Sequence, residues 1–253
     1  MTEREPDAFS APYRVRFDEA GPDGRLRTSV LLRYAQDLAW HHSAARGFGR
    51  AWYAERALTW LVRAAEIEVL RPIPVGTELT ATTRVVGWRR VWARRRTDVH
   101  DPDGELAACV DIDWVLLDGR GAPTRIPAEF EPMFGGAPAR IELARVDLVA
   151  PADAIRSSAA VRPQELDPMD HVNNAVYADW LEERVIAAGG EPDVRSIPRV
   201  MRLEYARAAE AGSTVSSATW REPDGSWACR FGDEADVDLL RARLRPGRAD
   251  PEG

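Results

Sequence analysis

Apolar residues recur at three- and four-residue steps in two stretches of the 253-residue chain. From Ser29 to about Ala45, Leu31, Tyr34, Leu38 and His42 share one face. From Asn174 to about Ala188, Val176, Tyr177, Trp180, Leu181 and Val185 do the same. This spacing predicts two helices, each with a stripe to bury. A turn precedes each one, GPDGR and LDPMDHVNN. Period-two segments follow. In the first half they are TATTRVV, VWARRRTDV and LAACVDIDWVLLD; in the second, VSSATWRE, WACRFGD and ADVDLLRARL. The turns DPDGE, DGRGAP and PDGS punctuate them. Strands joined by short Asp-Gly turns pair antiparallel. A helix followed by an antiparallel meander, met twice, predicts α+β architecture with each helix on one face of its sheet.

The two halves repeat in detail. Glu68 to Arg71 with Gly76 matches Glu204 to Arg207 with Gly212, at identical spacing. A repeat of this length implies a duplicated domain. The strongest break, Phe134-Gly135-Gly136-Ala137-Pro138, follows the short helical stretch IPAEFEPMF and precedes RIELARVDLVAP. It sets the expected domains at 1–136 and 137–253. Residues 1–10 and roughly 244–253 are polar or Pro/Gly-rich and are expected to be mobile termini. Aligning the helices on Tyr34 and Tyr177 puts Gly24 opposite Asp167 and Thr28 opposite His171.

Composition removes several chemistries. All 34 basic residues are Arg, so Schiff-base catalysis by Lys and a P-loop are excluded. A net charge of −7 disfavours nucleic acid as a partner. Cys109 and Cys229 form no CxxC pair, which excludes a disulfide scaffold or thiolate zinc cluster and predicts a reducing cytoplasm. No run of 18 apolar residues occurs and the start, MTEREPDAFS, is polar, so neither membrane span nor signal peptide is expected. The absence of G-x-S-x-G argues against an α/β-hydrolase esterase.

A long helix wrapped by an antiparallel sheet, twice over, resembles the double hotdog fold. The stretch from LLRYAQDLAWHH to VWARR resembles the first half of the plant and bacterial acyl-ACP thioesterase family. So does DIDWVLLDGRGAPTRIPAEF, with Trp114 in its strand. The most specific segment is LDPMDHVNNAVYADWLEE, Leu166 to Glu183, which is similar to the family's LD-x-x-x-HVNN-x-x-Y motif. The resemblance covers about residues 12–245. It implies a cytoplasmic enzyme of fatty acid biosynthesis that hydrolyses fatty acyl-ACP to free fatty acid and carrier protein. The expected partner is acyl carrier protein bearing a fatty acyl chain, and the expected state is monomer or homodimer. No cofactor or metal is required.

Thioester hydrolysis needs a base for water and donors for the developing oxyanion. Asp167 matches the motif's Asp. Its residue type admits two roles, opening the turn as Asp-Pro commonly does or serving as base, and the resemblance favours the base. His171 matches the motif's His and lies within reach of the same cleft, able to orient or share a proton. His41, His42 and His100 read more plainly as surface or cleft lining. Asn173 and Asn174 suit a helix start, whose amides would face a thioester oxygen. The chain departs from the family at Met169, where plant-type enzymes carry Asn, and at Ala208 and Ala209, where they carry a Glu-Cys pair. Asp170, Glu204 and Glu210 are the polar residues near those positions.

The first half lacks the motif and is expected to shape the acyl pocket. Its Arg89, Arg90, Arg94, Arg95 and Arg96 read either as solvated strand faces or as a dock for the acidic carrier and its phosphopantetheine. Two rivals stand beside the hydrolase: an acyl-CoA thioesterase of the same fold, and a non-catalytic acyl- or carrier-binding module. A hotdog dehydratase is a weaker third.

Overall fold

A computed structural model describes residues 7–134, 146 and 148–247. In chain order they form β1 (Ala8–Arg14), α1 (Thr28–Ala45), α2 (Arg50–Glu55), β2 (Thr59–Val69), β3 (Glu78–Arg89), β4 (Trp92–His100) and β5 (Leu106–Leu117), then α3 (Glu131–Phe134). There follow β6 (Ile155–Ala160), α4 (Val176–Ala187), α5 (Glu191–Arg195), β7 (Arg199–Tyr205), β8 (Thr214–Arg221), β9 (Trp227–Gly232) and β10 (Asp238–Pro246). The described residues divide into two compact units. One takes residues 7–26, 30–65 and 73–134; the other takes 27–29, 66–72, 146 and 148–247. The expected boundary at 136/137 lies outside the described residues.

In the first unit the strand order is β1-β3-β4-β5-β2, and β3 pairs antiparallel with β1 and β4, and β4 with β5. The second unit repeats it as β6-β8-β9-β10-β7, with β8 antiparallel to β6 and β9, and β10 antiparallel to β9 and β7. The turns between strands carry the expected chemistry. Asp101 accepts hydrogen bonds from the amides of Asp103 and Glu105 at 3.0 and 2.9 Å, and Gly104 supplies the left-handed residue, φ 81°. Asp118 does the same for Arg120 and Ala122.

The periodic residues of both helices are the buried ones. Leu31, Tyr34, Leu38 and His42 are all buried on α1, and Val176, Tyr177, Leu181 and Val185 on α4. Burying each Leu, Ile or Val side chain contributes about 1.5–3 kcal/mol, so these stripes hold the helices in place. A hydrophobic cluster that includes Phe48, Tyr53, Phe130, Met133 and Phe134, backed by Trp52 and Trp60, completes the first unit's core.

Two expectations need correction at the termini. Residues 8–10 belong to β1, and β10 runs to Pro246. Both are held by ladders, Ala8 opposite Arg84 and Pro246 opposite Arg199, despite their polar composition.

The duplication extends to individual hydrogen bonds. The amide of Arg16 donates to Glu19 Oε2 at 2.9 Å, and that of Arg162 to Glu165 Oε2 at 2.7 Å. Gly21 N–H donates to Arg25 O and Asp167 N–H to His171 O, both at 2.8 Å. Leu26 N–H reaches Ile73 O, as Val172 N–H reaches Ala209 O. The Tyr34 hydroxyl donates to Glu19 at 2.6 Å, and the Trp180 indole N–H to Glu165 at 3.0 Å. Trp180, not Tyr177, is therefore the counterpart of Tyr34. Gly21 stands opposite Asp167 and Arg25 opposite His171, in place of Gly24 and Thr28. A helical stripe repeats every three to four residues, so periodicity leaves a slip of one turn open; the side-chain partners close it.

Candidate active site

The motif segment folds into a tight turn. Leu166 and Val172 form a β-bridge, Asp167 N–H donates to His171 O at 2.8 Å, and Asp170 N–H donates back to Asp167 O at 3.0 Å. Asp170 sits at the tip, exposed, with φ 62°. The Asp167 carboxylate accepts the Met169 amide at 2.8 Å. This is an Asx turn, so the turn-forming role of Asp167 is realised in the fold. A carboxylate accepts at about four sites, so this single bond does not exhaust it.

A second contact widens the site. His171 bridges antiparallel to Glu210, thirty-nine positions further on. Directly opposed residues of an antiparallel pair project to the same face, with Cβ atoms about 4.5–5.5 Å apart. Asp167 faces His171 across the turn and Glu210 faces it across the bridge. The three form a row of carboxylate, imidazole and carboxylate. Asp167 and His171 are half-buried and Glu210 is exposed. The corresponding row in the first unit is Gly21, Arg25 and Pro74, which bridges Arg25. It has neither carboxylate nor imidazole.

The other candidates fall elsewhere. Glu204 lies on the face of β7 opposite the buried Met201, Leu203 and Tyr205, beside Arg202 at 3.8 Å. Met169 is 57% exposed. Asn173 caps the approach to α4: its Oδ1 accepts the Ala175 amide at 2.9 Å and its carbonyl accepts Val176 N–H. The Asn174 carbonyl accepts the Tyr205 hydroxyl at 2.9 Å. The amides of Ala175, Val176 and Ala178 thus already have partners, which narrows the expected oxyanion role of this helix start. Burial pushes the Cys229 thiol up to about 12, so it stays protonated and is no nucleophile.

The five arginines divide by strand alternation. Arg89 and Arg90 are exposed. Arg94 grips the buried Asp113 with two hydrogen bonds, 2.6 and 2.9 Å. Arg96 pairs with Asp98 at 2.8 Å and Asp111 at 3.4 Å. Arg95 points to the other face, is buried, and donates to His42 Nδ1 at 2.9 Å. Of the five, Arg89 and Arg90 are the exposed ones. The charges of Arg94 and Arg96 are met by carboxylates on adjacent β-strand positions, and Arg95 is inside. The bland reading of His42 is corrected. It is fully buried, with Nε2 3.2 Å from Asp7 Oδ2 and its ring stacked on Phe9. An arginine can only donate, so Nδ1 is the acceptor and Nε2 carries the proton.

One helix against a five-stranded antiparallel sheet, made twice, with a polar row in the second copy, defines a tandem hotdog protein. The chain matches the acyl-ACP thioesterase N-terminal domain over residues 6–132 and the acyl-ACP thioesterase C-terminal domain over residues 149–243. It belongs to the acyl-ACP thioesterase family. It is 27% identical over 275 residues to a chloroplastic acyl-[acyl-carrier-protein] hydrolase of Cuphea viscosissima, covering 97% of this chain and 64% of that protein. It is 27% identical over 268 residues to the chloroplastic palmitoyl-acyl carrier protein thioesterase of Cuphea hookeriana, covering 94% and 62%. The chain thus spans a little under two thirds of these relatives' length. Two solved structures share its fold. An acyl-ACP thioesterase from Bacteroides thetaiotaomicron superposes with a TM-score of 0.80 at 17% identity, over 94% of this chain and 97% of the other. The 12:0-ACP thioesterase from Umbellularia californica gives 0.79 at 24%, over 95% and 98%. Among the described residues no helix is long and apolar enough to cross a membrane.

Proposed function

We propose that this protein hydrolyses the thioester of a fatty acyl chain on acyl carrier protein, releasing the free fatty acid during fatty acid biosynthesis. The observation that carries this is the row Asp167, His171, Glu210 in the second unit, set against Gly21, Arg25 and Pro74 in the first. Duplicated units that differ at this row are consistent with chemistry in residues 137–253 and an acyl pocket in residues 1–136.

In the proposed reaction Asp167 removes a proton from water as its oxygen attacks the thioester carbonyl. The tetrahedral intermediate collapses, the C–S bond breaks, and the sulfur leaves as the carrier's thiol after taking a proton. His171, flanked by two carboxylates, orients the water and relays that proton. Glu210 is the alternative base, because it faces His171 from the other side; Asp170 at the turn tip and Glu204 on the far face of β7 are less well placed. We assign carrier docking to Arg89 and Arg90. The protein works in the cytoplasm, a reading supported by two buried cysteines that form no disulfide, and acts as a monomer or homodimer.

Free-thiol release from a panel of acyl-ACPs tests the activity, with matched acyl-CoAs separating the acyl-CoA thioesterase. One specific feature favours a second reading, an acyl-ACP-binding module without hydrolysis. Asp167 already holds the Met169 amide, and Met169 and Ala208 stand at family polar positions. Binding of acyl-ACP with no thiol release would select it.

A further inference from the structure

The equivalence of the two units exposes a place where the second lacks a part. In the first unit Tyr13, on edge strand β1, stacks on Tyr34 of α1 with ring centroids 4.2 Å apart. Its hydroxyl donates to Asp37 Oδ2 at 2.6 Å, and it pairs with Leu79 in the ladder. In the second unit Ala159 pairs with Val215 at the same rung of β6 and β8. The counterpart of Tyr34 is Trp180, which keeps the ring and its bond to the preceding Glu. Three residues further along each helix, Asp37 corresponds to Glu183. The stacking ring and the accepting carboxylate are thus present, while the phenol between them is missing.

A cavity of about 190 Å³ occupies that place. Ala159, Val215, Phe231, Trp180, Glu183 and Arg184 are among the residues that line it. Trp180 and Phe231 lie 6.0 Å apart. A cavity of about 150 Å³ suffices to hold a benzene ring. The remaining charged lining residues, Arg162 and Glu165, are bound to each other at 2.7 Å, and Arg184 lies 3.7 Å from Glu183, so the lining carries no net charge. Residues 1–6, 135–145, 147 and 248–253 contain no Tyr, Phe or Trp. Those stretches therefore hold no aromatic ring that would fill the space.

We propose that this cavity is a binding site for a small neutral phenol. The ring stacks on the Trp180 indole in the manner of Tyr13 on Tyr34, and the hydroxyl donates to the Glu183 carboxylate in the manner of Tyr13 to Asp37. Aromatic pairs of this kind gain beyond the area they bury, and a hydrogen bond to a charged acceptor adds selectivity for the hydroxyl. The lining's balanced charge favours the neutral phenol over an aryl carboxylate. The proposal is independent of the hydrolase reading, since it uses none of Asp167, His171 or Glu210.

The test is ligand-observed fluorine NMR on the full chain with 4-fluorophenol, and with fluorobenzene and 4-fluorobenzoate as comparison ligands. The expected result is saturable binding of 4-fluorophenol, about tenfold weaker binding of fluorobenzene for the loss of one charged hydrogen bond, and weaker binding of 4-fluorobenzoate. Ala159→Tyr rebuilds the first unit's arrangement and should abolish binding while leaving the melting temperature unchanged or raised. Glu183→Ala, at an exposed position, removes the acceptor and should bring 4-fluorophenol down to the affinity of fluorobenzene. No saturable binding to the wild-type chain overturns the proposal. So does undiminished binding to folded Ala159→Tyr, or equal affinity for phenol and benzene in the wild type.

Discussion

His42 offers a perturbation whose size follows from its surroundings. Four groups face it: Asp7 and Arg46 on one side, Arg95 on the other, and Phe9 against its ring. Burial and the neighbouring Arg95 charge hold its pKa below the ordinary value, so it is neutral in the fold. Burial also pulls Arg95 down to about 10, which still leaves it charged at neutral pH. His42→Leu keeps the apolar volume but removes the acceptor from Arg95. A hydrogen bond to a charged group is worth about 1.5–3 kcal/mol, and each kcal/mol shifts the melting temperature by about 2–4 °C in a chain of this length. The variant should therefore melt roughly 3–12 °C lower at pH 7.5. The pH dependence follows from linkage. With the folded pKa lowered, the unfolded chain takes up the proton first, so the stabilisation is complete above about pH 6.5 and is lost as pH falls below it. By pH 5.5 the wild type should lose up to about 1.4 kcal/mol through this residue. The gap between wild type and His42→Leu should narrow by that amount between pH 7.5 and 5.5. Calorimetry or urea titration at the two pH values measures it. Equal melting at pH 7.5, or a gap that does not narrow on acidification, would refute the reasoning.

Three further outcomes are expected. Asp167→Asn keeps the Asx turn but removes the base, so kcat on acyl-ACP should fall roughly 10²–10⁴-fold with little change in melting; if that loss appears in Glu210→Gln instead, the base is Glu210. Reversing Arg89 and Arg90 to Glu should raise KM for acyl-ACP but not for a small thioester, and the difference should shrink with salt as the Debye length falls from about 10 Å at 0.1 M. Asp113→Asn should cost about 1.5–3 kcal/mol in urea unfolding, because it weakens the two hydrogen bonds from Arg94 at a buried carboxylate; a smaller loss would return Arg94 to the solvated surface.

Local periodicity and turn chemistry were legible in the sequence because they act over a few residues. The stripes of α1 and α4, the alternating strands and the Asp-Gly turns all express backbone geometry that neighbouring residues set. The repeat was legible for the same reason, since matched segments such as Glu68 to Gly76 and Glu204 to Gly212 sit at equal spacing. The edge strands β1 and β6 escaped notice. Edge strands bury little; β6 is mostly exposed, so its residues bear no clear apolar alternation. Tertiary structure decided what meets across the chain. Alternation separates Arg95 from Arg94 and Arg96, but it does not say which sheet face a helix covers or that Asp111 and Asp113 stand on the next strand. Likewise, Glu210 comes beside His171 through a bridge between distant segments. Among the described residues, the cavity beside Trp180 exists because residue 159 is Ala where its counterpart is Tyr13. That equivalence is set by side-chain hydrogen bonds and ladder register, which a single chain's periodicity does not contain.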